Sequence, residues 1–118
     1  MTDLVACLSR GKGSWSKLRE LINAAPWSNV FLITNSFGKN NFSSQENINF
    51  ILVDFEKPID ILINDIVSQC KDKISDTEIA LNIISGNGKE HMAIISAMLK
   101  LGLGIRLVSV KEGKLIEL

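Results

Sequence analysis

The segment from Thr77 to Leu103, TEIALNIISGNGKEHMAIISAMLKLGL, limits the fold more than any other part of the chain. Glu78 to Ile84 is short, apolar and rich in β-branched residues, the character of a strand covered on both faces. Ser85-Gly86-Asn87-Gly88-Lys89 interrupts it with two glycines and two residues that favour turns or caps. Glu90 to Leu101 then runs without Gly or Pro, as a helix does, and Gly102 and Gly104 stop it. A strand that feeds a helix through a glycine turn leaves unpaired N–H groups at the helix start, above the strand end. With Lys89 beside them, the stretch reads as an anion site.

The same unit stands at the N-terminus. Asp3 to Leu8 is a first strand, and Ser9-Arg10-Gly11-Lys12-Gly13-Ser14 is a small, flexible, basic turn with Ser14 as the expected N-cap. Trp15 to Ala25 carries apolar residues at Trp15, Leu18, Leu21, Ile22 and Ala25, a helical spacing closed by Pro26. Val30 to Thr34 and Ile48 to Phe55 read as the second and third strands. Between them Asn35 to Asn47 is polar and shows no helical pattern. It is either a crossover to a parallel third strand or a long hairpin to an antiparallel one. It is also a candidate lid or partner surface, against the plainer reading of a surface loop. Ile59 to Lys73, opened by Pro58, repeats apolar residues along one face. Ile105 to Val110 and Leu115 to Leu118 form a closing hairpin around Glu112-Gly113.

Strands alternating with helices predict one α/β domain over residues 1–118: a three-layer sandwich around a mainly parallel sheet, with the hairpin at one edge. Right-handed crossovers give the strand order 3-2-1-4-5. The winding then reverses between the first and fourth strands, where open α/β sheets bind ligands. The two glycine turns follow those two strands, so both are expected at one crevice.

Composition removes several functions. Thirteen basic and thirteen acidic side chains cancel, which argues against general nucleic-acid binding through a broad positive face. Cys7, Cys70 and a single histidine have no zinc-ligand spacing, so no metal site is expected. Two free thiols suit a reducing cytoplasm. Without a long apolar run or a basic leader, no membrane association is expected, and the predicted location is cytoplasmic.

Gly11, Gly13, Gly86 and Gly88 allow the backbone to approach a ligand closely. Ser9, Ser14, Ser85 and Asn87 add short hydrogen-bonding groups, Arg10, Lys12 and Lys89 add charge, and Asn82 near the strand end is a candidate ribose or base contact. The set suits phosphate oxygens; ordinary βα turns, in which Gly and Ser only solve geometry, are the competing reading. Neither familiar phosphate motif is present. Gly88-Lys89 is followed by Glu90 and has no Gly five places before Gly88, which breaks the G-x-x-x-x-G-K-[ST] loop. Gly11-x-Gly13 runs to Ser16 and Gly86-x-Gly88 to His91, which breaks G-x-G-x-x-G. No cofactor is therefore expected.

The run from Asn82, NIISGNGKEHM, resembles the signature of the CRISPR-associated Rossmann-fold (CARF) family. There a strand bearing Asn enters a Thr-Gly-Gly-Thr-Lys type turn, followed by a helix with an early Met. Ser85, Gly86 and Lys89 match the hydroxyl, glycine and lysine, and Met92 matches the helix Met. Asn87-Gly88 replaces Gly-Thr, and Asn82 and Met92 are each displaced by one place. LGLGIRLVSV and the hairpin ending in GKLIEL also resemble the end of such a domain. The resemblance implies a Rossmann-like homodimer whose paired crevices bind a small anionic nucleotide such as a cyclic oligoadenylate. With no residues left over for an effector domain, it further implies a stand-alone sensor, a sequestering protein or a small ring nuclease. A CARF-like domain with another ligand, and a dimeric scaffold without one, are the further readings.

The last long helix bears Met92, Ala93, Ile94, Ile95, Ala97, Met98, Leu99 and Leu101 around most of its circumference. Such a helix is buried on two sides, against a second subunit through residues 90–101 or under a neighbouring helix. If the chain is an enzyme, a metal-independent phosphodiesterase is the candidate, with His91 and Glu90 as acid–base groups and Lys89 stabilising phosphate charge. The alternative for His91 is a capping or surface role. Cys7, inside a strand, is assigned to the core.

Overall fold

The structure is a computed structural model that describes residues 2–43, 45 and 47–118. The β-branched and leucine-rich runs form strands because both faces of a central parallel sheet must be apolar. β1 (Asp3–Leu8) and β2 (Val30–Thr34) are buried along their whole length, and β4 (Glu78–Asn82) at all but its first residue. The remaining strands are β3 (Ile48–Leu52), β5 (Gly104–Lys111) and β6 (Lys114–Glu117). Their order is β3-β2-β1-β4-β5-β6, with every neighbouring pair parallel except the β5-β6 hairpin. The fold is the expected Rossmann-like α/β arrangement. The hairpin turns through Glu112 (φ 52°) and Gly113 (φ 75°), the left-handed pair that a two-residue turn between twisted strands requires.

Strand alternation sorts the core into two layers. Val5, Cys7, Ile33, Ile79 and Leu81 face α3 (Ile59–Cys70) and α4 (Gly88–Lys100), which also pack on each other. Leu4, Ala6, Leu8, Leu32 and Ala80 face α1 (Trp15–Asn23), whose Trp15, Leu18, Leu21 and Ile22 are buried. Each buried Val, Leu or Ile among them contributes about 1.5–3 kcal/mol by leaving water.

Three local expectations change. The third strand is parallel to β2, in register from Val30↔Ile48 to Thr34↔Leu52, and ends at Leu52. The polar stretch before it contains a helix, α2 (Ser36–Asn41). Gly38, Asn40 and Asn41 are poor helix formers. The turn forms because Asn35 Oδ1 accepts from the Gly38 N–H at 3.0 Å and because buried Gly38 lies against Thr34 and Leu8. Ser14 does not cap α1: its backbone is already helical, within a 3₁₀ turn over Lys12–Ser14, and its hydroxyl donates to the Gly11 carbonyl at 3.2 Å. Among the described residues, no helix is long and apolar enough to cross a membrane.

Candidate functional site

β1 and β4 are adjacent, so the loops that leave their C-terminal ends meet. The Ser9 N–H donates to Ser85 Oγ at 2.9 Å, joining residues 76 positions apart. Ser85 is buried at 1% exposure and Ser9 is half-buried, so loss of this bond would leave the buried hydroxyl without it. The Ser9 carbonyl accepts from Trp15 Nε1 at 2.9 Å, which fastens the first loop to α1.

Beside this junction lies a hollow of about 280 Å³. Ser9 and Arg10 line it from the first loop, Asn87 and Glu90 from the second, Asn35 from the end of β2, and Asp54, Phe55 and Glu56 from the turn after β3. The two loops therefore share a cavity, as the strand order requires. Its lining differs from the expectation: among the described residues, three acidic residues and one arginine line it.

The reason lies at the start of α4. Asn87 Oδ1 accepts from the Glu90 N–H at 2.9 Å, and Glu90 Oε1 accepts from the Asn87 N–H at 3.0 Å, a reciprocal capping box. The chain's own carboxylate thus occupies the helix end where an outside anion was expected. Lys89 donates its Nζ at 2.9 Å to the carbonyl of Phe55, a residue that lines the hollow. It ties the turn after β3 to α4. The spacing Asn87-x-x-Glu90 is a capping-box signal, and it could have shown that the donors were already engaged.

Gly86 is the glycine of the site whose conformation demands glycine. Its φ is +105°, and a Cβ there would lie 2.7 Å from Glu90 Oε1 and 2.9 Å from Cys7 Sγ. A Cβ at Gly11, Gly13 or Gly88 would meet no atom within 4 Å, so packing within the chain does not require glycine there. The Lys12 side chain lies outside the described residues. Asn82 belongs elsewhere: Nδ2 donates to the Val108 carbonyl at 2.9 Å and Oδ1 accepts from the Ile84 N–H at 3.1 Å. It locks the end of β4 to β5 and borders a second, largely apolar hollow with Ile84, Leu107 and Leu118.

His91 Nε2 bonds the Ser85 carbonyl at 2.8 Å. A carbonyl only accepts, so Nε2 carries the proton. Cys7 lies behind the loop, and burial, reinforced by the Glu90 carboxylate, pushes its thiol up to about 12. Burial likewise raises Cys70 to about 11. Both thiols should resist iodoacetamide in the folded protein at pH 8 and react on unfolding. Because folding raises both pKa values, their stabilising contribution is intact below pH ~9 and falls as pH rises, by about 1.4 kcal/mol per thiol per pH unit until the folded pKa is reached. Urea titrations of wild type and Cys7→Ala/Cys70→Ala between pH 8 and 10.5 check this; equal pH slopes would contradict it.

Among the described residues, no three His, Cys, Asp or Glu side chains are placed to hold a metal ion. Asn35 comes from the stretch expected as a lid or partner surface, whereas Asp54, Phe55 and Glu56 carry no sequence signal and reach the hollow through the sheet order. No protein-family model matches the chain, and no curated protein matches it.

Proposed function

We propose that the chain is a nucleotide-binding regulatory module of the kind the CARF resemblance implies, working as a homodimer through α4. The observation that carries this reading is the Ser9–Ser85 bond, which supports one crevice at the winding reversal, with Arg10 and Asn87 on its walls. The phosphate is assigned to the first loop and Arg10, because Glu90 fills the start of α4. The hollow stays open, which speaks against a scaffold whose crevice is packed with side chains. A phosphodiesterase has no observation of its own in its favour: His91 and Glu90 each hold the second loop together.

For the dimer, the support is the outer face of α4. Ala93, Ile94, Ala97 and Met98 are turned into the core, whereas Met92 and Leu99, both 61% exposed, stand seven residues apart on the outside. The test is thermal denaturation with cyclic tri-, tetra- and hexa-adenylate and with AMP. At least one should raise the midpoint. Arg10→Ala should weaken that ligand roughly 10–100-fold, the loss of one charge-assisted hydrogen bond worth ~1.5–3 kcal/mol. No shift with any of the four ligands would remove the reading.

A further inference from the structure

Independently of the nucleotide reading, we infer that Asn87-Gly88 is a site of self-modification, at which Asn87 loses ammonia and becomes aspartate or isoaspartate. No other asparagine in the sequence is followed by glycine. The structure leaves both reacting groups open. Asn87 and Gly88 are exposed, and a Cβ at Gly88 would meet no atom within 4 Å. Gly88 is the first residue of α4, where a backbone N–H has no partner inside the helix. Among the described residues no other acceptor meets it. The nucleophile is therefore an unengaged amide, with no side chain beside it to hinder its approach.

The electrophile is prepared by the helix. Asn87 Oδ1 accepts from the Glu90 N–H at 2.9 Å, and negative charge gathers on that oxygen when Cγ is attacked. A backbone donor at the positive end of a helix stabilises such charge as an oxyanion hole does.

The step needs water alone. Gly88 N gives its proton to solvent and bonds to Asn87 Cγ. The Cγ–Nδ2 bond breaks, and Nδ2 takes a proton from water and leaves as ammonia. The succinimide so formed is opened by hydrolysis. Water adding at Cγ restores the main chain and leaves an aspartate; water adding at the Asn87 main-chain carbonyl routes the chain through Cγ, as isoaspartate.

Asn35 separates the effect of the glycine from that of the cap. It too caps a helix from an extended backbone, with Oδ1 accepting from a backbone N–H at 3.0 Å. Ser36 follows it, however, and it is half-buried. A cap alone would make the two asparagines equally reactive. The products act differently on the site. Aspartate caps as well as asparagine and suits the helix start, so the fold is kept while the hollow, which Asn87 lines, gains a carboxylate. Isoaspartate adds a main-chain carbon and moves the capping-box groups out of register.

The test is incubation of the full chain at pH 8, for several times as long as the guanidinium-unfolded chain needs to convert at Asn87. Fragmentation mass spectrometry follows each asparagine, and enzymatic methylation identifies isoaspartate. Asn87 should convert ahead of Asn35, as a mixture of both isomers. Gly88→Ala, whose thermal midpoint reports that it folds, should slow the conversion several-fold. An intact Asn87 in the folded chain overturns the inference. So does conversion of Asn35 at the same rate, which would assign the chemistry to the cap, or an unchanged rate in Gly88→Ala.

Discussion

Gly86→Ala is destabilised by roughly 2–4 kcal/mol, the sum of a left-handed backbone forced on a β-carbon and an overpacked contact. The methyl group has no free direction. Glu90 Oε1 and Cys7 Sγ stand within 3 Å of its position, and His91 Nε2 lies at 3.1 Å. Cys7 is part of the buried strand β1, and Glu90 is held in its capping box, so neither can withdraw without breaking another contact. For a domain of this size the loss corresponds to about a 10 °C lower midpoint. Gly88→Ala, two residues on, is the control: it opens α4 in free space and should be neutral or slightly stabilising. Urea denaturation of the pair decides, and equal stability of Gly86→Ala and wild type would mean that the turn is not as tightly packed as described.

Ile94→Ala is the second large loss, about 2–5 kcal/mol. Ile94 is fully buried between α4, α3 and the sheet, and rigid strands on one side with a helix on the other leave little room to collapse onto the cavity. One face round, Met92→Lys/Leu99→Lys should barely change the chemical stability of the monomer, because both side chains are exposed. The same pair should lower the sedimentation coefficient if α4 forms the subunit interface. A destabilised Met92→Lys/Leu99→Lys monomer, or an unchanged Ile94→Ala protein, would contradict this division of the helix. The inner side of the helix is buried against α3 and the sheet, and the proposed subunit contact concerns only its exposed side, with Met92 and Leu99.

The sheet was legible because its signals are local and redundant. Val30 to Thr34 and Glu78 to Ile84 admit few other readings, and short crossovers leave few strand orders. The junction of the two loops followed from that order. What stayed hidden depends on contacts between distant residues. Helix α2 is made by the Asn35 cap and by Gly38 seated on Thr34, against the helix propensity of its residues. The bond from Lys89 to the Phe55 carbonyl was hidden because charge can be read from a sequence and the position of that carbonyl cannot. Asp54 and Glu56 carried no signal of their own, since an acidic pair at a turn is ordinary until the third strand is known to be parallel.

A Cβ at Gly11 or Gly13 would meet no atom within 4 Å, and neither has a left-handed backbone, unlike Gly86. The rim formed by the first loop can therefore accept new side chains at little cost to folding, while the opposite rim is committed to holding α4 in place. Selection or engineering could retune what enters the crevice from one bank only, in a chain whose other bank stays constant.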